Sequence, residues 1–388
     1  MEKLFIKPRS VLSYTLIIFL LFIHLGVNEF FSFMFLGFLI LLVGTIYQGI
    51  STKAIIFSGI LFVIQFLGLL LRSGEFDLHL MLSLSRETVV YFILLNILVR
   101  ASSRKEKHVV YARFIFKVTF WVVALNAMVV LLQIFDSLIL KSGIFDLPES
   151  YYALRFGTLP SQIREEYISY GLYLRPSSFY SEPSALGLVG VICFIIGMKL
   201  RATKIMFLSL FLVISSMSLS AFVTLSVVWV LNNLKRIQVF HVVSFCLVLI
   251  VLYMMSADRI NKVFEGEDGS TYIRMVVGLE IMDQFFSEGR YFGVSEDEAN
   301  MVGNSLTGRD DVLDNYIYYK IIIFGILGAF FLLSFYLFLG REIFTYLFLF
   351  GFFNGTLFYY DRLMLLLPLF VIMSLSWKGG IIMKKYHE

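Results

Sequence analysis

The 388-residue chain is 59% hydrophobic, carries charged side chains at only 15% of positions and has a mean hydropathy of +0.84. That balance excludes a soluble multidomain protein and marks an integral membrane protein. The formal net charge of +4 is mild, so the information lies in where the charges fall.

Apolar runs of roughly 20 residues, enough to cross about 30 Å of hydrocarbon, can be read in chain order. They fall at 11–28, 30–47, 54–71, 83–99, 114–135, 184–199, 203–217, 219–234, 238–255, 314–339, 342–357 and 362–377. The expectation is an all-α polytopic membrane protein with about 12 transmembrane helices, forming a single integral membrane domain over residues 1–388. The first run is read as a retained span, because no small-residue cleavage site follows Leu25 and equally apolar runs come after it. Arg86 and Glu87 sit in the first turn of the fourth run, and only the break SMSLS parts the seventh from the eighth. Cys193 and Cys246 both fall in apolar runs, where neither a structural disulfide nor a reactive thiol is expected.

Orientation follows from the basic residues. With the N-terminus inside, the inner segments hold 18 of the 32 Lys and Arg but only four acids, Glu2, Glu106, Glu342 and Glu388. Both termini are therefore expected in the cytoplasm, with the inner connections short and basic as lipid headgroups favour. Two outer segments are long, 136–183 and 256–313. Within the second, STYIRMVVGLEIMDQFFSEG repeats apolar residues at Ile273, Val276, Val277, Ile281 and Phe285, which predicts a short amphipathic helix with Arg274 on or beside its apolar face. The polar, glycine-punctuated stretch after it reads as a loop over the outer mouth of the bundle. Lys117 and Lys320 are the charges deepest in the spans, and both are long enough that they could snorkel.

The chemistry-bearing residues concentrate outside. In RPSSFYSEPSALG, 175–187, Pro176 fixes its own φ and Pro183 suits the first position of a helix. Arg175 and Glu182 are thus held at a helix start: a fork aimed at phosphate, and a carboxylate able to take a proton. An interfacial cap with a snorkelling arginine is the structural alternative. Arg155, Arg274 and Arg290 are further phosphate candidates, and Asp314 joins Glu182 as a candidate base, with Glu280 and Asp361 less well placed. His79, alone in EFDLHLML, reads as structural. Tyr180 and its neighbouring outer tyrosines suit either stacking on sugar rings or anchoring at the interface. The acidic runs Glu296, Asp297, Glu298 and Asp310, Asp311 read as solvated loop, so no metal is expected. With no Walker loop or dinucleotide fingerprint, no cofactor is expected either, and no nucleic-acid partner.

Three motifs in order, RPSSFYSEPSALG at 175–187, SLSAFVTLSVVWVL at 218–231 and DNYIYYKIIIFGILG at 314–328, resemble those of the O-antigen and capsule polysaccharide polymerases, the Wzy family, relatives of the O-antigen ligases. The resemblance implies a GT-C-like glycosyltransferase of the bacterial cytoplasmic membrane with its site facing outward. It would join undecaprenyl-pyrophosphate-linked donor and acceptor glycans among membrane lipids, beside a chain-length regulator protein. It further implies pyrophosphate binding by Arg175, Arg274, Arg155 and Arg290, catalysis by Glu182 or Asp314, and acceptor contacts at Tyr180, Asn315 and Tyr316. Ligases and many relatives carry His where this chain has Asp314, a departure that removes a histidine base and favours polymerase over ligase.

Overall fold

The structure, a computed structural model, describes residues 17–18, 20–21, 39, 41–43, 45–46, 49–72, 78–103, 108–140, 145, 176–180, 183–233, 276–308, 315–353 and 360–377. Among these the chain is all-helical, with no strand. The helices are α1 (Thr52–Leu71), α2 (Leu78–Ser103), α3 (His108–Phe135, continued by a π-turn over Asp136–Leu140), α4 (Pro183–Leu200), α5 (Thr203–Ser216) and α6 (Leu219–Asn233). They are followed by α7 (Gly278–Ser287), α8 (Glu296–Thr307), α9 (Tyr316–Phe324), α10 (Ile326–Leu339), α11 (Arg341–Phe353) and α12 (Tyr360–Trp377).

Four described stretches are long and apolar enough to cross a membrane: Thr52–Leu71, Leu80–Ser103, Val109–Leu140 and Pro183–Leu200. Shorter apolar helices cover Thr203–Ser216, Leu219–Leu231, Ile326–Leu339 and Ile343–Phe352. At 1.5 Å per residue the third stretch is ~48 Å long, more than a hydrocarbon layer of about 30 Å. Along α1, Ile55, Ile56, Ile60, Val63, Leu67 and Leu70 all face outward. Such a face is unfavourable in water and suited to acyl chains. The expected spans 11–28 and 30–47 lie mostly outside the described residues, and 238–255 wholly outside.

The chain divides into two compact units. The first comprises Met1–Ser58, Glu87–Phe222 and Phe358–Glu388. Its centre is α4, buried on all sides and packed against α3, α5 and α12. Small residues make that packing close: a Cβ on Gly187 would stand 2.7 Å from Ala221 Cβ, and one on Gly190 2.8 Å from Val213 Cγ2. Helices in an apolar medium associate through such close approach, since lipid offers no hydrophobic drive between them.

The second unit comprises Gly59–Arg86 and Val223–Leu357. Its core joins Leu69, Leu80 and Leu84 to Val277, Ile281 and Phe285 of the α7 region and to Ile322, Ile323 and Phe324 of α9. Within the stretch predicted to be an amphipathic helix lies α7, and Val277, Ile281 and Phe285 of the predicted face are buried in this core, whereas Val276 is exposed. The stretch expected to be a loop after it contains α8. Ser295 Oγ accepts the Glu298 N–H at 3.2 Å, three acids occupy the first turn, and Gly308 ends the helix in the left-handed region. A hydroxyl cap and negative charge at the N-terminus stabilise helices of this kind.

The single span expected over 314–339 is two helices. Gly325, at φ +57°, breaks it between α9 and α10. A turn from the α7–α8 connection occupies the break: Val294 N–H donates to Ile322 O at 3.1 Å and Ile326 N–H to Tyr291 O at 2.9 Å. A Cβ at Gly325 would collide with Tyr291 O, and one at Gly293, at φ +92°, with Ile323 O. Both positions therefore require glycine, for backbone sign and for space.

Candidate functional site

Arg155, Arg175, Glu182, Arg274 and Asp314 lie outside the described residues, whereas Arg290, Tyr180, Asn315 and Tyr316 are described. So are the immediate chain neighbours of the two proposed carboxylates, Pro183 after Glu182 and Asn315 after Asp314.

In the first unit, residues 176–180 form a turn set against α3. Ser178 takes φ +55°, a conformation unfavourable for a side chain with a Cβ. The turn is held by hydrogen bonds. Ser178 N–H donates to Gln133 Oε1 at 3.0 Å, Gln133 Nε2 donates back to Ser178 O at 3.4 Å and to Phe145 O at 3.3 Å, and Ser178 Oγ donates to Asn126 O at 3.3 Å. Tyr180 is fully buried; its hydroxyl donates to Leu20 O at 3.2 Å and accepts from Asn126 Nδ2 at 3.3 Å. Asn126 Nδ2 also reaches Val122 O at 2.8 Å, while its buried Oδ1 has no hydrogen-bond partner among the described residues.

Thr119, Asn126 and Gln133 are all buried and lie seven residues apart, so they form one polar stripe along α3. The sequence reading passed over Asn126 and Gln133. A repeated polar residue at that spacing inside an apolar run was the available signal.

Directly after the turn, Pro183 opens α4, and its first turns meet the serine-rich break between α5 and α6. A Cβ on Gly187 would come within 2.8 Å of Ser216 Oγ and 3.0 Å of Ser218 Cβ. There Met217 closes α5 in the left-handed region, Ser218 Oγ accepts from Ala221 N–H at 3.4 Å, and Ser218 and Ser220 share a 3.0 Å hydroxyl contact.

In the second unit, Asn315 caps α9. Its Oδ1 accepts the N–H groups of Ile317 and Tyr318 at 3.0 and 3.3 Å, and its Nδ2 donates to Phe352 O at 3.1 Å. Tyr316 is buried one residue on. Its ring centroid lies 5.3 Å from Lys320 Nζ, and the rings of Tyr319, Phe324 and Phe331 lie 5.6, 5.1 and 5.2 Å from the same atom. Lys320 Nζ donates to Gln65 Oε1 at 2.6 Å, and Gln65 is oriented by its Nε2 bond to Leu61 O at 3.4 Å. Lys320 is 1% exposed, so it does not snorkel. The rings supply cation–π attraction that favours the ammonium where it is. Lys117, by contrast, is only half-buried.

Arg290 sits on the α7–α8 turn. It bonds to Glu298, forms a 3.4 Å ion pair with Glu288 and lies 5.4 Å from the Phe285 ring centroid. The Glu298 hydrogen bond, with the charges of Glu298 and Glu288, holds its guanidinium above the ordinary arginine range. Glu296, Asp297 and Glu298 are the first turn of α8, and among the described residues no group of three His, Cys, Asp or Glu forms a metal-binding cluster.

Arg290 apart, the described site residues therefore belong to two buried assemblies that fix backbone beside Glu182 and beside Asp314. Tyr180, Asn315 and Tyr316 are interior members of these assemblies. No protein-family model, curated protein or solved structure matches this chain.

Proposed function

We propose that the chain is a polysaccharide polymerase of the Wzy type, a metal-independent inverting glycosyltransferase. It would act at the outer face of a bacterial cytoplasmic membrane, transferring a growing glycan from undecaprenyl pyrophosphate to a sugar hydroxyl on a second lipid-linked repeat. The proposed topology is twelve spans with both termini cytoplasmic, and a chain-length regulator is the proposed protein partner.

One observation supports the reading most directly. Two of the three motifs that carry the resemblance meet in the first unit, where Gly187 of the first stands against Ser218 and Ala221 of the second. The turn at 176–180, buried against α3 in the same unit, sits in the chain between Arg175 and Glu182. Arg175 and Arg274 are assigned to the leaving pyrophosphate, where a fork of donors stabilises charge as it departs, and Arg155 to the pyrophosphate of the second lipid. Glu182 or Asp314 takes the acceptor proton. Tyr180 and Asn315 position the backbone next to these carboxylates. Arg290, already paired with two carboxylates, clasps the α7–α8 turn.

The test is an electrophoretic ladder of surface glycan from a deletion strain complemented with variants. Arg175→Ala and Arg274→Ala should abolish polymer at normal protein level, and Arg175→Lys should restore it only partly, since a point charge replaces a fork. Wild-type chain lengths from both alanine variants would overturn the assignment. A deletion strain that loses even the single repeat from its lipid core would point to a ligase or a flippase.

A further inference from the structure

The α7–α8 turn carries a half-exposed aromatic pair: Tyr291 is 51% exposed and Phe292 47%. Phe286 stacks on Tyr291 from behind, with ring centroids 6.2 Å apart. The pair is joined directly to α10, because Ile326 N–H, at the first residue of that helix, donates to Tyr291 O at 2.9 Å. From Ile326 an exposed apolar stripe runs on through Phe330, Leu333 and Leu337, at the spacing of one helix face. The aromatic pair is thus continuous with a surface of the kind acyl chains cover. The α7–α8 segment also exposes acids, Glu280, Asp283, Glu288, Glu296 and Asp297, beside Leu279, Met301 and Leu306.

Two environments conflict with this arrangement. In bulk water the aromatic pair and the stripe would both stay hydrated; in hydrocarbon the five acids would lose their water. A bilayer interface satisfies both, and it is where amphipathic rings concentrate. We infer that Tyr291 and Phe292 form an interfacial anchor seated in the headgroup and upper acyl region of the lipid bilayer, so that the break at Gly325 lies at the membrane surface. On this placement α10 enters the hydrocarbon, while α7, α8 and α9 form a cap held against it. The anchor is independent of the glycan-transfer activity.

The test uses the full chain in vesicles of phosphatidylethanolamine and phosphatidylglycerol. Phe292→Cys, and Asp297→Cys as an aqueous reference, are placed in a Cys193→Ala/Cys246→Ala background and labelled with an environment-sensitive fluorophore. A nitroxide lipid labelled near the headgroup should quench position 292 several-fold more than position 297, and aqueous iodide should show the reverse order. Equal iodide quenching at both positions would overturn the anchor. So would strongest quenching of position 292 by a nitroxide near the bilayer centre, or no quenching of it by either lipid or iodide, the last meaning that protein covers the turn. A Phe292→Trp variant with its cysteines intact, compared with wild type in brominated-lipid vesicles, gives the same readout without cysteine removal: added emission quenched by lipid supports the anchor, and added emission quenched only by iodide overturns it.

Discussion

The two units stabilise irregular backbone in opposite ways. At residues 176–180 the turn is satisfied by side chains, the amides of Asn126 and Gln133 reaching across from α3. At Gly325 the broken helix is satisfied by backbone, with Tyr291 and Val294 supplying the groups that a continuous helix would have supplied itself. The first arrangement depends on which side chains are present. The second depends on the absence of a side chain at two glycines, with the buried charge of Lys320 held nearby by rings and one amide. Function that needs a fixed but adjustable geometry suits the first; a rigid joint suits the second.

The sharpest way to break this contrast is at the joint. Gly293→Val should cost about 3 kcal/mol or more, combining a β-branched residue at positive φ with overpacking. Thermal unfolding in detergent measures it, and a variant as stable as wild type would show that the break does not depend on close backbone approach. Gln133→Leu should cost about 2 kcal/mol by stranding the Ser178 N–H and C=O, and under the proposed activity should shorten the glycan ladder as well. An unaltered ladder from the folded variant would separate the turn from catalysis. Gln65→Leu should also cost about 2 kcal/mol, as expected for a hydrogen bond to a charged group, and adding Lys320→Met should recover most of the loss because the buried charge goes with its partner. The smallest effect belongs to the clasp. Arg290 and Glu298 are each about one-third exposed, so Glu298→Gln should cost less than about 1 kcal/mol and less still at high salt.

Much of the fold was legible wherever a helix is simply apolar along its length. The runs at 54–71, 184–199 and 203–217 correspond to Thr52–Leu71, Pro183–Leu200 and Thr203–Ser216, and Pro183 opens its helix as a proline at that position should. Hydropathy reports length and burial. It does not report where backbone leaves the helix, and so the apolar run through Gly325 read as one span. The α8 helix was hidden by its acids, although Ser295 and Glu298 have the spacing of a capping box and Gly308 that of a C-terminal stop. Lys320 read as able to reach water because no single residue announces a cage; its rings come from both sides of the break, and its amide partner lies 255 residues away in the chain. At the candidate site, Arg175 and Glu182 stood out by their charge, whereas the amides that fix the turn between them are neutral and lie 45 to 54 residues earlier.

The way the units interleave along the chain bears on biogenesis. Residues of the second unit end at Leu357, and α12, which packs against α4 and α3 of the first, is synthesised only afterwards. All of the second unit is thus synthesised before the helix that carries Leu369, Phe370 and Met373 into the first unit's core. A released chain cut short before Tyr360 would therefore hold every residue of the second unit and leave the first with α4 open on one flank, a target for the proteases that patrol unfinished membrane proteins.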